Sequence, residues 1–473
     1  MMGFKKYASI AAVLAAVAVL SEVADLTEFG NVWGNDWNSE AASAQPTAIY
    51  HAFNQNYAEI ETFACQLANQ GYSHLQISPA QQSNPGREWW KRYQPYDLSV
   101  IEGLGSEGDL QQLVETAHGC NLKIIADVVF NHMANLDGGE DFENLSKYPN
   151  LTPDDFHTNP NNVGAKLCGI NYSDGNRDSE LNCWLGGLPD LRFTDNVKTL
   201  QKAHIDLLLS LRIDGFRFDA AKHIPVEVLS EYIDYINQQS GGNTWNYLEV
   251  ISDLDTQGED YSWIATVTDF VLYNAMKEAF TYGGDLRALP AAALDDARSI
   301  TFGTNHDTIR SLNSSALNPY TDVTDSYLAT AYVLARQDGT PLIFSADHAN
   351  APFIKTGVKF RQIMQQRQQQ GLNTQENILR AINLDTMLLM ERGAEGFAVV
   401  NKGLETFDTP TLDLTLSNLD GCYRELRNGF TVAIEPRAGK KYVTRWGSWA
   451  RGGLEMKGRD ALYFVREPFE QCL

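Results

Sequence analysis

The sequence predicts an α/β protein, a (β/α)8 TIM barrel with a loop-rich subdomain protruding after its third strand and an antiparallel β-sandwich at the C-terminus. From about Thr47 to Asp347, short β-branched or apolar runs alternate with amphipathic helical stretches, the pattern of βαβ units around a parallel sheet. Eight such runs, at 48–53, 74–78, 123–129, 213–218, 246–250, 267–269, 299–303 and 341–344, match the strand number of a closed barrel. After the helical stretch Phe360 to Gln369 the period changes to two, in 396–400, 411–416 and 461–465, between Gly, Asn and Asp turns.

The third and fourth runs are separated by about 80 residues rich in Asn, Asp, Gly and Pro. Ordinary connections take roughly 2 to 6 residues, so a subdomain is expected there. The reading divides the chain into 1–44, a signal peptide and leader; 45–132 with 188–380, the barrel; 133–187, the subdomain; and 381–473, the sandwich. At the N-terminus Lys5 and Lys6 precede an apolar run from Ala8 to Leu20, too short for a permanent membrane helix. Ala42-Ser43-Ala44 has the small-x-small form of a cleavage site; cleavage near Ala18 and a buried N-terminal helix are the alternatives. Export to the extracellular space or periplasm is expected.

A formal charge of −23 argues against nucleic acid or anionic membrane as partner, because such a surface repels polyanions. A neutral substrate and a monomeric chain are expected. Nine Trp and twenty Tyr supply ring faces suited to stacking on sugars, although most are expected in the core. Six cysteines in an exported chain suggest disulfides, and six allow 15 pairings. Spacing favours Cys168 with Cys183, Cys422 with Cys472, and Cys65 with Cys120; no CxxC spacing suggests zinc.

In such a barrel, functional groups sit at the C-terminal ends of strands. Four polar clusters fall there: DVVFNH (127–132), GFRFDAAKH (215–223), YLEV (247–250) and FGTNHD (302–307). Convergence at one mouth brings Asp127, Asp219, Glu249 and Asp307 around a single pocket. Glycoside hydrolysis needs that inventory: one ionised carboxylate at the oxocarbenium-like centre and one protonated carboxyl for the leaving oxygen. Arg217 shares a strand face with Asp219 and would keep it ionised. Glu249 follows Leu248 with no adjacent cation, which suits a raised pKa and an acid role. A lone Asp at a strand end is more often a cap or turn former. Four clusters in barrel order are far more specific.

These segments resemble the signature regions of the α-amylase family, glycoside hydrolase family 13, and LPDL (188–191) resembles its fifth. Within the family the likeness is to animal and related bacterial members, through SPAQQSNPGREWWKRYQPY (78–96) and GCNLKIIADVVFNHM (119–133). The resemblance implies Asp219 as nucleophile, Glu249 as acid then base, and Asp307 gripping sugar hydroxyls in the −1 subsite. It places Arg217, His132 and His306 around that subsite, Asp127 beneath, and Tyr93 stacked on the sugar. Trp89, Trp90, Gln94, Lys222 and His223 would contact neighbouring sugars of an α-glucan. Cysteines at the places of Cys65 and Cys120, and of Cys168 and Cys183, are paired in the family.

The resemblance also implies a structural calcium held by Asn131, Asp190 and the backbone carbonyl of His223, with a further carbonyl near Leu181; hard oxygens suit that ion. Animal-type members bind chloride through two basic residues and an Asn. Arg217 and Asn305 match two of these, but GTPLIFS (339–345) has no basic residue, so the likeness does not extend to chloride. Two other functions stay open: a transglycosylase or other α-glucosidic specificity on the same scaffold, and a non-catalytic glucan-binding protein, which predicts loss of Asp219 or Glu249.

Overall fold

The computed structural model describes residues 45–473 except 137–141, 159–169, 173–174, 176, 292–297, 310–315, 379–383, 409–413, 415–416, 438, 446–454 and 473. The expected leader, Cys168 and most of the strand expected at 411–416 lie outside the described residues.

Eight parallel strands close the barrel: β1 (Ile49–Ala52), β2 (His74–Ile77), β3 (Lys123–Val128), β4 (Gly215–Phe218), β5 (Tyr247–Leu248), β6 (Thr266–Thr268), β7 (Ser299–Thr301) and β8 (Thr340–Phe344). Each falls within one residue of its expected run or inside it. Parallel strands buried on both faces read as continuous apolar runs, and Ile49–Ala52 and Gly215–Phe218 are buried at every position. Between them lie α1 (Tyr57–Gln70), α2 (Glu107–Gly119), α3 (Asp195–Ser210), α4 (Val226–Ser240), α5 (Phe270–Phe280) and α6 (Val323–Ala335), and α7 (Pro352–Gln369) follows β8. Helix α2 shows how sequence sets a helix. Ser106 and Asp109 form a capping box at its start, and Leu110, Leu113, Val114 and Ala117 recur at helical spacing and are buried. Between β5 and β6 only a short 3-10 turn, Gly258–Asp260, stands where the repeat would have a helix, leaving a long loop at the barrel mouth.

Gly215 sits at the start of β4, where a Cβ would lie 1.9 Å from the carbonyl oxygen of Trp245. No other residue lets β4 and the strand beside it approach this closely. Arg217 and Asp219 depend on that approach.

The C-terminal part is a seven-stranded antiparallel sheet of β9 (Glu376–Ile378), β10 (Met387–Arg392), β11 (Gly396–Asn401), β12 (Gly421–Glu425), β13 (Thr431–Arg437), β14 (Lys440–Arg445) and β15 (Asp460–Glu467). It begins at Glu376, a few residues before the expected boundary at 381, because β9 pairs with β10. Period-2 alternation divides its two faces. Leu388, Met390, Ala398, Val400, Tyr463 and Val465 join the barrel's core, while Leu389, Phe397, Val399, Leu462 and Phe464 face a second layer that includes Leu414, Leu419 and Met456. Disulfides join Cys65 to Cys120 and Cys422 to Cys472, with Cα–Cα distances of 5.4 and 5.7 Å. No described helix is long and apolar enough to cross a membrane.

Candidate active site

The barrel register places Asp127 beside Arg217 across β3 and β4, and Arg217 beside Tyr247 across β4 and β5. Arg217 is 3% exposed and its guanidinium organises the site. Nη1 donates to both Asp127 oxygens and to Asp219 Oδ1, each at 2.8 Å, while Nη2 contacts Glu249 Oε1. The rigid fork of donors fixes several carboxylates at once. Tyr93 donates its hydroxyl to Asp127 Oδ2 at 2.9 Å, and Tyr93's carbonyl bonds His132 Nε2 at 3.0 Å.

Beyond β4 the chain turns sharply at Ala220, a non-glycine residue in the left-handed region (φ 47°). That conformation aims the Ala220 amide at Glu249 Oε2, 3.1 Å away, and lets Ala221 N–H reach the Glu249 carbonyl at 3.0 Å. After β7, Asn305 Oδ1 accepts from the amides of Asp307 and Thr308, both at 3.0 Å, and this Asx turn presents Asp307. His306 is sandwiched between Phe53 and Tyr93, its ring 4.7 and 5.0 Å from theirs. Its Nε2 lies 3.4 Å from Asp307 Oδ2.

Asp127, Asp219 and Glu249 share one guanidinium, and Asp307 stands in the same cluster. Burial pushes Asp127 up to about 8 against the pull of Arg217, raises Asp219 against the same pull, and raises Glu249 and Asp307 with further help from neighbouring carboxylates. One cation cannot neutralise four anions in a medium of low polarity, so the cluster retains protons. The expectation that Glu249 has no cation beside it is corrected: Arg217, far off in sequence but on the neighbouring strand, touches it. The carboxyl's upward shift comes from burial and from Asp219, not from isolation.

The cluster opens into a cleft of about 570 Å³. Of the expected residues, Trp89, Trp90, Tyr93, Gln94, His132, Asp219, Lys222, His223, Glu249, His306 and Asp307 line it, with Arg217 and Asp127 below. Trp90 is 48% exposed, as expected for an indole offered to a ligand. Sequence reasoning missed Tyr172, Leu185, Ile251, Asp253 and Leu317 in the lining. Leu185 and Ile251 stand beside LPDL and YLEV, so proximity to those segments was the available signal. Tyr172 and Asp253 carried none.

Beside the cleft, Asn131 and Asp190 meet where an isolated bridge joins His132 to Asp190. Asn131 Oδ1 and Asp190 Oδ1 are buried with no hydrogen-bond partner, while Asp190 Oδ2 bonds His157 Nδ1 at 2.6 Å. Burial pushes Asp190 up to about 7, partly offset by His157. Two orphaned oxygens of hard type fit a cation better than they fit each other.

A (β/α)8 barrel with paired carboxyl groups at its mouth and an aromatic-walled cleft has the equipment of a glycoside hydrolase. Comparison with known proteins makes this specific. The family description "Alpha amylase, catalytic domain" matches residues 70–284. The α-amylase of Aeromonas hydrophila is 29% identical over 419 residues, covering 76% of this chain and 85% of that protein. That of Phaedon cochleariae is 30% identical over 325 residues, covering 63% of this chain and 64% of that protein. A mutant α-amylase I from Eisenia fetida, solved in complex with maltohexaose, superposes with a TM-score of 0.69 at 20% identity, covering 87% of this chain and 98% of that one. Residues 70–284 thus match the catalytic domain of the α-amylases, and the chain is similar to bacterial and animal members of that family of glycoside hydrolases.

Proposed function

We propose that this chain is a secreted α-amylase that cleaves internal α-1,4-glucosidic bonds of starch, glycogen and maltooligosaccharides with retention of configuration. One observation carries the reading: Asp219 and Glu249 sit on two nitrogens of the same guanidinium. That keeps the two carboxyl groups close, as a retaining pair must be, about 5 to 5.5 Å apart. Asp219 attacks the anomeric carbon while protonated Glu249 donates to the departing oxygen. Glu249, now a carboxylate, then takes a proton from the water that opens the glycosyl-enzyme. Asp307 and His306 grip ring hydroxyls, with His132 and Arg217 completing the −1 subsite. Tyr93 stacks on the −1 sugar, Trp89, Trp90, Gln94 and His223 receive the neighbouring units, and Lys222 forms part of the wall beside them.

Asn131, Asp190 and the His223 carbonyl would hold a calcium ion, with another carbonyl near Leu181. Bound there, the ion would supply positive charge that joins the subdomain to the barrel. The two orphaned oxygens support this ligand set.

Asp219→Asn tests the mechanism, because the amide keeps the shape and loses the nucleophile. Release of reducing ends from soluble starch is expected to fall by about 10⁴-fold or more with folding retained. Undiminished hydrolysis by the variant, or wild-type turnover without a rise in reducing ends, would refute the proposal; the second result belongs to a transferase.

A further inference from the structure

The family likeness casts Lys222 as a sugar contact, but its ammonium is already engaged. It contacts Asp253, donates to the Ile251 carbonyl at 3.1 Å and lies 4.3 Å from the centre of the Tyr172 ring. An ammonium has three donors, and here they are directed at two oxygens and a ring face, with the residue 5% exposed. Asp253 is itself fixed, since its Oδ1 accepts from the amides of Asp255 and Thr256 at 2.8 and 2.9 Å. Burial would raise its carboxyl, but these bonds and Lys222 outweigh burial and lower it. The group is therefore an anion tied to a cation, not a free acid.

The clasp joins three segments that have no covalent reason to stay together: the turn after β4, the long loop after β5, and the subdomain. Arg177 of the subdomain adds a bond to the Lys222 carbonyl at 3.1 Å. Lys222, Asp253, Ile251 and Tyr172 all line the cleft. They stand beside Glu249, two residues before Ile251, whereas Trp89 and Tyr93 stand beside His306. The residue that protonates the leaving oxygen marks the side on which the leaving sugar lies. The geometry points to Asp253 as a specificity-determining residue that, through Lys222 and Tyr172, sets the wall of the leaving-group side and so the preferred length of the released reducing-end fragment. This rests on the hydrolase reading above. Asp253 is a positioning residue, acting through its partner and not on the sugar.

The test is subsite mapping with reducing-end-labelled maltopentaose to maltooctaose, so that leaving-group length and non-reducing length vary independently. Asp253→Ala is expected to change the ratio among leaving-group lengths by about three- to ten-fold, the scale of coupling within one contact network. Dependence on non-reducing length is expected to stay as in wild type, and Asp253→Glu to restore part of the ratio. Asp253→Asn, isosteric with the native residue, serves if the alanine variant does not fold. Unchanged cleavage ratios, or equal changes on both sides of the scissile bond, would overturn the proposal. A wild-type chain that cleaves none of these sugars would overturn the hydrolase reading, and the proposal with it.

Discussion

Asp347 follows β8 and is completely buried, with Oδ2 accepting from Thr330 at 2.8 Å and Oδ1 lacking a partner. Burial pushes its carboxyl from the usual 3.8 up to about 7, only partly offset by Thr330. A carboxyl raised in this way binds its proton more tightly folded than unfolded. Its contribution is complete below pH 3.8 and is lost as pH rises through about 7. Asp347→Asn, which cannot ionise, is expected to lose less stability between pH 5 and pH 8 than wild type, by up to about 2.5 kcal/mol. Denaturant unfolding at the two pH values measures this, and parallel slopes would refute it. Residues such as Asp347 and Asp253 were not legible in the sequence: Asp253 lies among Asp255 and Asp260 in a loop, and nothing local says which of them meets Lys222. Asp219 and Glu249 were legible because each ends an apolar run at the barrel mouth, and Asp307 because it closes the polar cluster FGTNHD after β7. The Arg217 contact to Glu249 was not, since it runs between neighbouring strands that lie about 30 residues apart in sequence.

Among elements, the barrel strands were the most readable, because burial on both faces leaves continuous apolar runs such as the one within Thr340–Phe344. The missing helix after β5 was not singled out, although Ser252, Asp253, Asp255, Thr256 and Gly258 are poor helix formers. Nor was the order of the C-terminal sheet, where the last strand, β15, inserts between β11 and β12. Its position brings Tyr463 against α7 at Gly357, where a Cβ would lie 2.6 Å from the Tyr463 hydroxyl and 2.9 Å from Leu334 Cδ1. The hydroxyl cannot simply move aside, because it donates to the Ala331 carbonyl on α6 at 3.0 Å. Gly357→Val therefore forces α7 from the sheet and is expected to cost about 1 to 3 kcal/mol, the range for overpacking a core. Thermal melts should show the loss while KM for starch stays at the wild-type value, the cleft being at the opposite end of the strands. A variant as stable as wild type would show that the helix and sheet can separate freely.

Across the whole molecule, the parts are held by different forces. The barrel and one face of the C-terminal sheet share one apolar core, reinforced by Lys402, whose ammonium bonds the carbonyls of Ala279 and Thr281 at the end of α5, at 2.7 and 3.1 Å. Arg361 adds bonds from α7 to the carbonyls of Thr47 and Arg336, at 2.8 and 2.6 Å. The subdomain instead packs in a small separate cluster of Met133, Leu145, Tyr148, Phe156 and Trp184, joined by Leu191 and by Val197 of α3. Much of its attachment is polar, through Asp190, Glu180 with Thr256, and the Lys222 clasp. A cation between Asn131 and Asp190 would satisfy both orphaned oxygens and strengthen that polar seam. By mass action, calcium at a hundredfold excess over its Kd is expected to stabilise the fold by about 2.7 kcal/mol. Chelator-treated protein should melt lower and regain its Tm on adding calcium, and Asp190→Asn should abolish the response. If Tm is indifferent to calcium in the wild-type chain, the seam is held by the protein's own groups alone, with His157 as the partner of Asp190.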